Sequence, residues 1–162
     1  MKIKETLNFF LNLKNDSVEK SEIKIYDKYI GILSDLKNRD LTQNQIQSIE
    51  SELETLNLNA EPDNRKKYLK QKLSEFQKFL KDKLALVSEG YYAGIGAGTG
   101  IVLGSIFSML FQSVLGAYSL LIGINGGMIL GAILGGIRDS EAKKQGRVLI
   151  TKVDKNTSYN TV

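Results

Sequence analysis

The chain has 162 residues, with 22 lysines and arginines against 18 aspartates and glutamates and a pI near 9.1, room for a small domain plus a membrane segment. It has no cysteine and no histidine, which excludes thiolate nucleophiles, disulfides, imidazole bases and the usual zinc sites. Much of the basic excess flanks one long apolar stretch, so the charge reads as membrane topology and no nucleic-acid partner is expected.

Residues 1–89 read as helix almost throughout, in three or four segments. The opening MKIKETLNFFLNLKND lacks the apolar core of roughly 7–15 residues and the small-residue cleavage pattern of a secretory signal, which places this region in the cytosol. Leu7, Phe9, Phe10, Leu11 and Leu13 form a short apolar segment. It suits either a bundle core or a docking or membrane-surface helix, and stripes of this kind are more often core. Breaks fall at Lys14-Asn15-Asp16-Ser17 and Asn38-Arg39-Asp40, and Ile25, Tyr29, Ile32 and Leu36 recur at helical spacing between them.

Thr42 with Gln45 predicts a capping box, and Ile46, Ile49, Leu53 and Leu56 continue as an a/d-like stripe toward an end near residues 57–60. Pro62 suits the first turn of the next helix, where its missing N–H would be an orphan anyway. Leu69, Leu73, Phe76, Leu80 and Val87 form one further seam, expected to run on into the membrane.

Residues 90–137 carry no Asp, Glu, Lys or Arg and are long enough for two helical crossings of about 20 apolar residues each. The expected spans are about 91–112 and 116–137. Lys70, Lys72, Lys78, Lys81 and Lys83 precede them, and Arg138, Lys143, Lys144, Arg147 and Lys152 follow. The uncharged connection near residues 112–116 crosses easily, so the positive-inside rule predicts a hairpin in the inner membrane with both termini cytosolic. Glu89, Arg138 and Asp139 then stand at the cytoplasmic border, where helix ends can pair. The tail, residues 138–162, begins as charged amphipathic helix and ends in polar residues that read as disordered. Val148, Leu149, Ile150 and Val153 suit a short strand or packing against the cytosolic helices.

Two glycine rows organise the apolar stretch: Gly96, Gly100 and Gly104, then Gly123, Gly127, Gly131 and Gly135. In water each interior glycine costs a helix about 1 kcal/mol relative to alanine. In lipid the backbone must close its own hydrogen bonds, and a missing Cβ lets neighbouring backbones approach. Neither the dinucleotide-binding nor the Walker glycine pattern fits, and open strands cannot survive in hydrocarbon. With a turn centred near residues 113–115, Gly104 falls level with about Ile124, Gly100 with Met128 and Gly96 with Ala132.

A second face of the first span carries Gly94, Gly98, Ile101, Ser105, Ser108 and Gln112, and Ile101 alone among these is large and apolar. Such a face is either a tight protein contact or a pore wall, and Gly94, Gly98, Ser105, Ser108 and Gln112 are the candidate pore-lining residues. Asn125 is expected to hydrogen-bond between helices. The spans carry no ionisable group for a proton relay. No paired acidic motif suggests an enzyme, and no motif implies a cofactor or metal.

The row Gly123, Gly127, Gly131, Gly135, with its partner Gly96, Gly100, Gly104, resembles the glycine-zipper two-transmembrane-helix membrane proteins over residues 90–137, and the overall composition has a bacterial character. That group includes channels and pore-forming toxins, so the resemblance implies intimate packing in a homo-oligomer. The expected protein is all-α: a cytosolic helical bundle or coiled region (1–89), a transmembrane hairpin (90–137) and a cytosolic tail (138–162). Its expected role is a homo-oligomeric pore. A membrane-anchored scaffold recruiting an unknown protein partner through residues 1–89 is the alternative.

Overall fold

The computed structural model describes residues 1–151, an all-α fold in two compact units. Among the described residues, the first comprises 1–88 and 149–151, and the second is 89–148. The disorder expected at the end of the tail, and the packing of Val153, fall on residues 152–162, outside the described residues.

In the first unit, α1 (Ile3–Asp16), α2 (Lys20–Asn38), α3 (Gln43–Thr55) and α4 (Arg65–Leu84) enclose one apolar core. Phe10, Tyr29, Ile30, Ile32, Leu33, Ile49, Leu53, Phe76 and Leu80 are fully buried in it. The N-terminal aromatic segment therefore faces the core. Phe10 stacks on Tyr29 with ring centroids 4.0 Å apart, which occupies the face a docking helix would need to leave free. Polar ties between helices orient the bundle. Lys14 pairs with Asp27 at 2.7 Å, the Tyr29 hydroxyl donates to the Leu69 carbonyl at 3.2 Å, and the Tyr68 hydroxyl closes the α3–α4 loop on Asn57 O at 2.9 Å.

Thr42 caps α3 with Gln45 in a reciprocal box. Pro62 lies outside any helix. Asn64 starts α4 instead, its side-chain oxygen accepting from Lys67 N at 2.9 Å, because a capping acceptor satisfies a donor that proline merely lacks. Nor does α4 run on into the apolar stretch. It stops at Leu84, Ala85 turns left-handed (φ 56°), Val87–Ser88 form a short strand β1, and Gly90 (φ 75°) precedes the next helix. Val87 thus leaves the α4 seam. The chain returns through β2 (Val148–Leu149), which pairs with β1, and Leu149 is buried in the first unit's core. Beyond it, the backbone of Ile150 and Thr151 runs against Gly31 of α2, so closely that a Cβ there would meet both at 3.0 Å.

The second unit is a helical hairpin. It consists of α5 (Tyr91–Leu110), a short turn helix α6 (Gln112–Leu115), one 3-10 turn (Gly116–Tyr118) and α7 (Ser119–Lys144). The first arm ends before Gln112, and the second begins later than residue 116 and runs past 137. Gly116 sits at φ 58°, ψ −143°, a conformation essentially reserved for glycine, and this lets the connection itself coil. Past Ile137, the segment RDSEAKK continues the same helix in good helix formers until Gly146 (φ 66°) follows its end. Both arms are long and apolar enough to cross a membrane.

Candidate helix-packing and assembly site

The hairpin is held by backbone contact. A Cβ built on Gly96 would lie 2.9 Å from the Gly131 carbonyl carbon, one on Gly100 2.7 Å from that of Gly127, and one on Gly104 2.8 Å from that of Gly123. In each case the carbonyl oxygen is closer still. The reverse holds from α7: Gly127 faces the Gly100 carbonyl and Gly131 the Gly96 carbonyl, while Gly135 meets Tyr92 and Ala93 at 2.5 and 2.7 Å. Glycine opposes glycine at three successive levels. This register differs by one residue from the expected pairing with Ile124, Met128 and Ala132, each of which would have set a side chain where only a hydrogen fits.

Ser108 belongs to this contact. It is 2% exposed, its hydroxyl donates to Gly104 O at 2.7 Å, and a Cβ on Gly123 would lie 3.1 Å from its own Cβ. Its assignment to the second face with Gly94, Gly98 and Ser105 is therefore corrected. Small residues at 96, 100, 104 and 108 form one i+4 row, which places Ser108 with the glycines. Gln112 likewise departs from the first span and stands exposed in the turn helix α6.

At the opposite end of the hairpin, Asp139 of α7 accepts from the backbone N–H groups of Tyr92 at 3.0 Å and Ala93 at 2.8 Å. Gly90 and Tyr91 offer α5 no side-chain cap, so a carboxylate from the other arm supplies it. The two helix ends meet here through this cap.

The second face remains open. Gly94 and Gly98 have nothing within 4 Å of a built Cβ, and the half-buried Ser105 turns its hydroxyl back onto Ile101 O at 2.8 Å. Asn125 is exposed, about 9 Å along α7 at 1.5 Å per residue. One amide hydrogen bonds Leu121 O at 2.8 Å within its own helix, and the side chain has a further donor and an acceptor to satisfy.

On the other side of the glycine rows runs a groove of about 920 Å³, floored by Gly96, Gly100, Gly127 and Gly131 and walled by Ile95, Leu103, Phe107, Ile122, Leu130 and Leu134. Tyr92, Arg138 and Glu141 stand at one end of it. Among the described residues, no ion pair joins Arg138 to Glu141 or to any other group. The groove escaped the sequence reading because its walls are ordinary aliphatic residues.

Large apolar side chains cover the hairpin surface, groove walls included, with Leu103, Met109, Leu110, Leu121, Leu130 and Leu134 each more than 60% exposed. Soluble monomers rarely display a contiguous apolar patch of that extent. No group of three or more carboxylates able to hold a metal ion occurs among the described residues. No protein-family model matches the chain, and neither a curated protein nor a solved structure matches it.

Proposed function

We propose that the protein spans the inner membrane as a hairpin with both ends cytosolic, assembles into a homo-oligomer and encloses a polar pathway in the assembly. Asn125 carries the reading: its exposed amide keeps a donor and an acceptor free on a helix otherwise suited to hydrocarbon, where unsatisfied polar groups are costly. A neighbouring copy meets that need. Gly94 and Gly98 supply the close-approach surface, and together with Ser105 and with Gln112 at the turn they are the candidate wall of the pathway. The glycine rows serve a different end, since they are spent within each hairpin as its zipper.

The test is the mass of the purified protein in nanodiscs, followed by conductance. An assembly of several copies is expected, whose conductance falls in Ser105→Leu while its mass stays unchanged. A monomer overturns the assembly, and full conductance in Ser105→Leu overturns the pathway's wall. The second reading, a membrane-anchored scaffold, is favoured by the first unit's own closed apolar core, which makes it a compact body separate from the hairpin. It predicts a monomer or dimer without conductance.

A further inference from the structure

Resting on the membrane reading above, we propose that the groove along the hairpin is a phospholipid site selective for headgroups that combine a phosphate with a primary amine. Charge complementarity at its mouth points there. Arg138 and Glu141, one helical turn apart on α7, both line the groove and are not paired with each other. A guanidinium suits a phosphate bidentately, and a carboxylate suits an ammonium that can donate hydrogen bonds. A headgroup with both charges matches the mouth. An anionic headgroup lacking the amine leaves Glu141 opposing it, and a quaternary amine has no N–H to give.

Below the mouth the groove accepts an acyl chain. From Arg138 to Leu130 the helix rises about 12 Å, close to half of a hydrocarbon core about 30 Å thick. Over that depth the lining is aliphatic or glycine, with Thr99 as the polar exception. Tyr92 at the mouth suits the interfacial level where aromatic residues gather. A lipid supplies both parts at once, an acyl chain for the groove and two opposite charges for its mouth.

Gly126 provides the test variant. It lines the groove, yet a Cβ there has nothing within 4 Å, so leucine fills the space without touching the contact between the arms. Full-length protein in detergent is titrated with phosphatidylethanolamine, phosphatidylcholine and phosphatidylglycerol and read by native mass spectrometry. Phosphatidylethanolamine is expected to be retained most tightly. Arg138→Gln and Glu141→Gln should each weaken it about tenfold, the scale of one charge-assisted hydrogen bond, and Gly126→Leu should abolish retention. Equal retention of the three lipids, or binding that survives Gly126→Leu in a variant with wild-type helix content, overturns the site. Phosphatidylethanolamine binding left unchanged by Glu141→Gln overturns the amine assignment. Release of the protein from membranes by alkaline carbonate overturns the membrane reading itself; retention without lipid selectivity overturns the groove alone.

Discussion

Gly98 and Gly100 stand two residues apart on the same helix, and alanine at each makes opposite demands. A Cβ at Gly100 would lie 2.7 Å from the Gly127 carbonyl carbon and 3.3 Å from the Gly131 Cα, whereas one at Gly98 meets nothing within 4 Å. The obstructing atoms are helix backbone and cannot turn aside. The arms must part by at least about 0.7 Å for the carbon alone to reach ordinary 3.4 Å contact, and further for the oxygen. A gap of about 0.5–1 Å forfeits a quarter to a half of each dispersion contact it opens. It also weakens the approaches in which a glycine Hα faces a carbonyl oxygen, worth about 0.5–1 kcal/mol each. With three glycine levels and the Gly135–Tyr92 contact sharing the displacement, Gly100→Ala should cost about 2–3 kcal/mol more than Gly98→Ala. Helix propensity changes alike in both and cancels. Denaturant titration of the two full-length variants in detergent, followed by far-UV circular dichroism, measures the difference. Equal stability within about 0.5 kcal/mol would refute the backbone contact as the force holding the hairpin.

Asp139→Ala should destabilise the hairpin by about 1.5–3 kcal/mol, since it removes a charged acceptor from two N–H groups, with Asp139→Asn losing less; thermal melts in detergent check both. Phe10→Ala should cost about 3–5 kcal/mol in urea unfolding of the first unit, because the ring is fully buried and stacked. Burial, aided by the Glu75 charge, pushes the Tyr29 phenol far above its ordinary value near 10. Its stabilising contribution is therefore complete below about pH 10 and is lost as the pH rises beyond that, where the unfolded chain ionises and the fold resists. Tyr29→Phe should flatten that alkaline loss in pH-dependent melts, for about 1 kcal/mol at neutral pH from the hydrogen bond to Leu69 O. Gly31→Ala should loosen the returning segment at Ile150 and Thr151, seen as faster amide exchange there while α2 stays protected.

The helices and most of the core were legible because they rest on local periodicity: Ile25, Tyr29, Ile32 and Leu36 predict one buried face, and Thr42 with Gln45 states where a helix starts. Boundaries set by competition were not. Pro62 invites a helix start, but the capping oxygen of Asn64 sets it. The end of α4 depends on Ala85 adopting φ 56°, which no pattern in an alanine announces. In the hairpin the glycine spacing was readable, but pairing is a property of two helices and their turn. One residue of register separates Gly100 facing Met128 from Gly100 facing Gly127.

That register also decides what each face is free to do. Glycines already in backbone contact inside one hairpin cannot mediate contact between copies, so an oligomer must use another surface, and Ser108 cannot line a pathway while it packs on Gly123. Gly94, Gly98, Ser105 and Asn125 remain for neighbours, and none of them lines the groove. Leucine scanning should therefore separate three phenotypes along one helical pair. Gly127→Leu should unfold the hairpin, Gly98→Leu should leave it folded but shift its mass in nanodiscs, and Gly126→Leu should change neither fold nor mass. If Gly98→Leu and Gly126→Leu proved indistinguishable in mass and stability, the two sides of the hairpin would be equivalent lipid-facing surfaces, and assembly would have to be sought elsewhere in the chain.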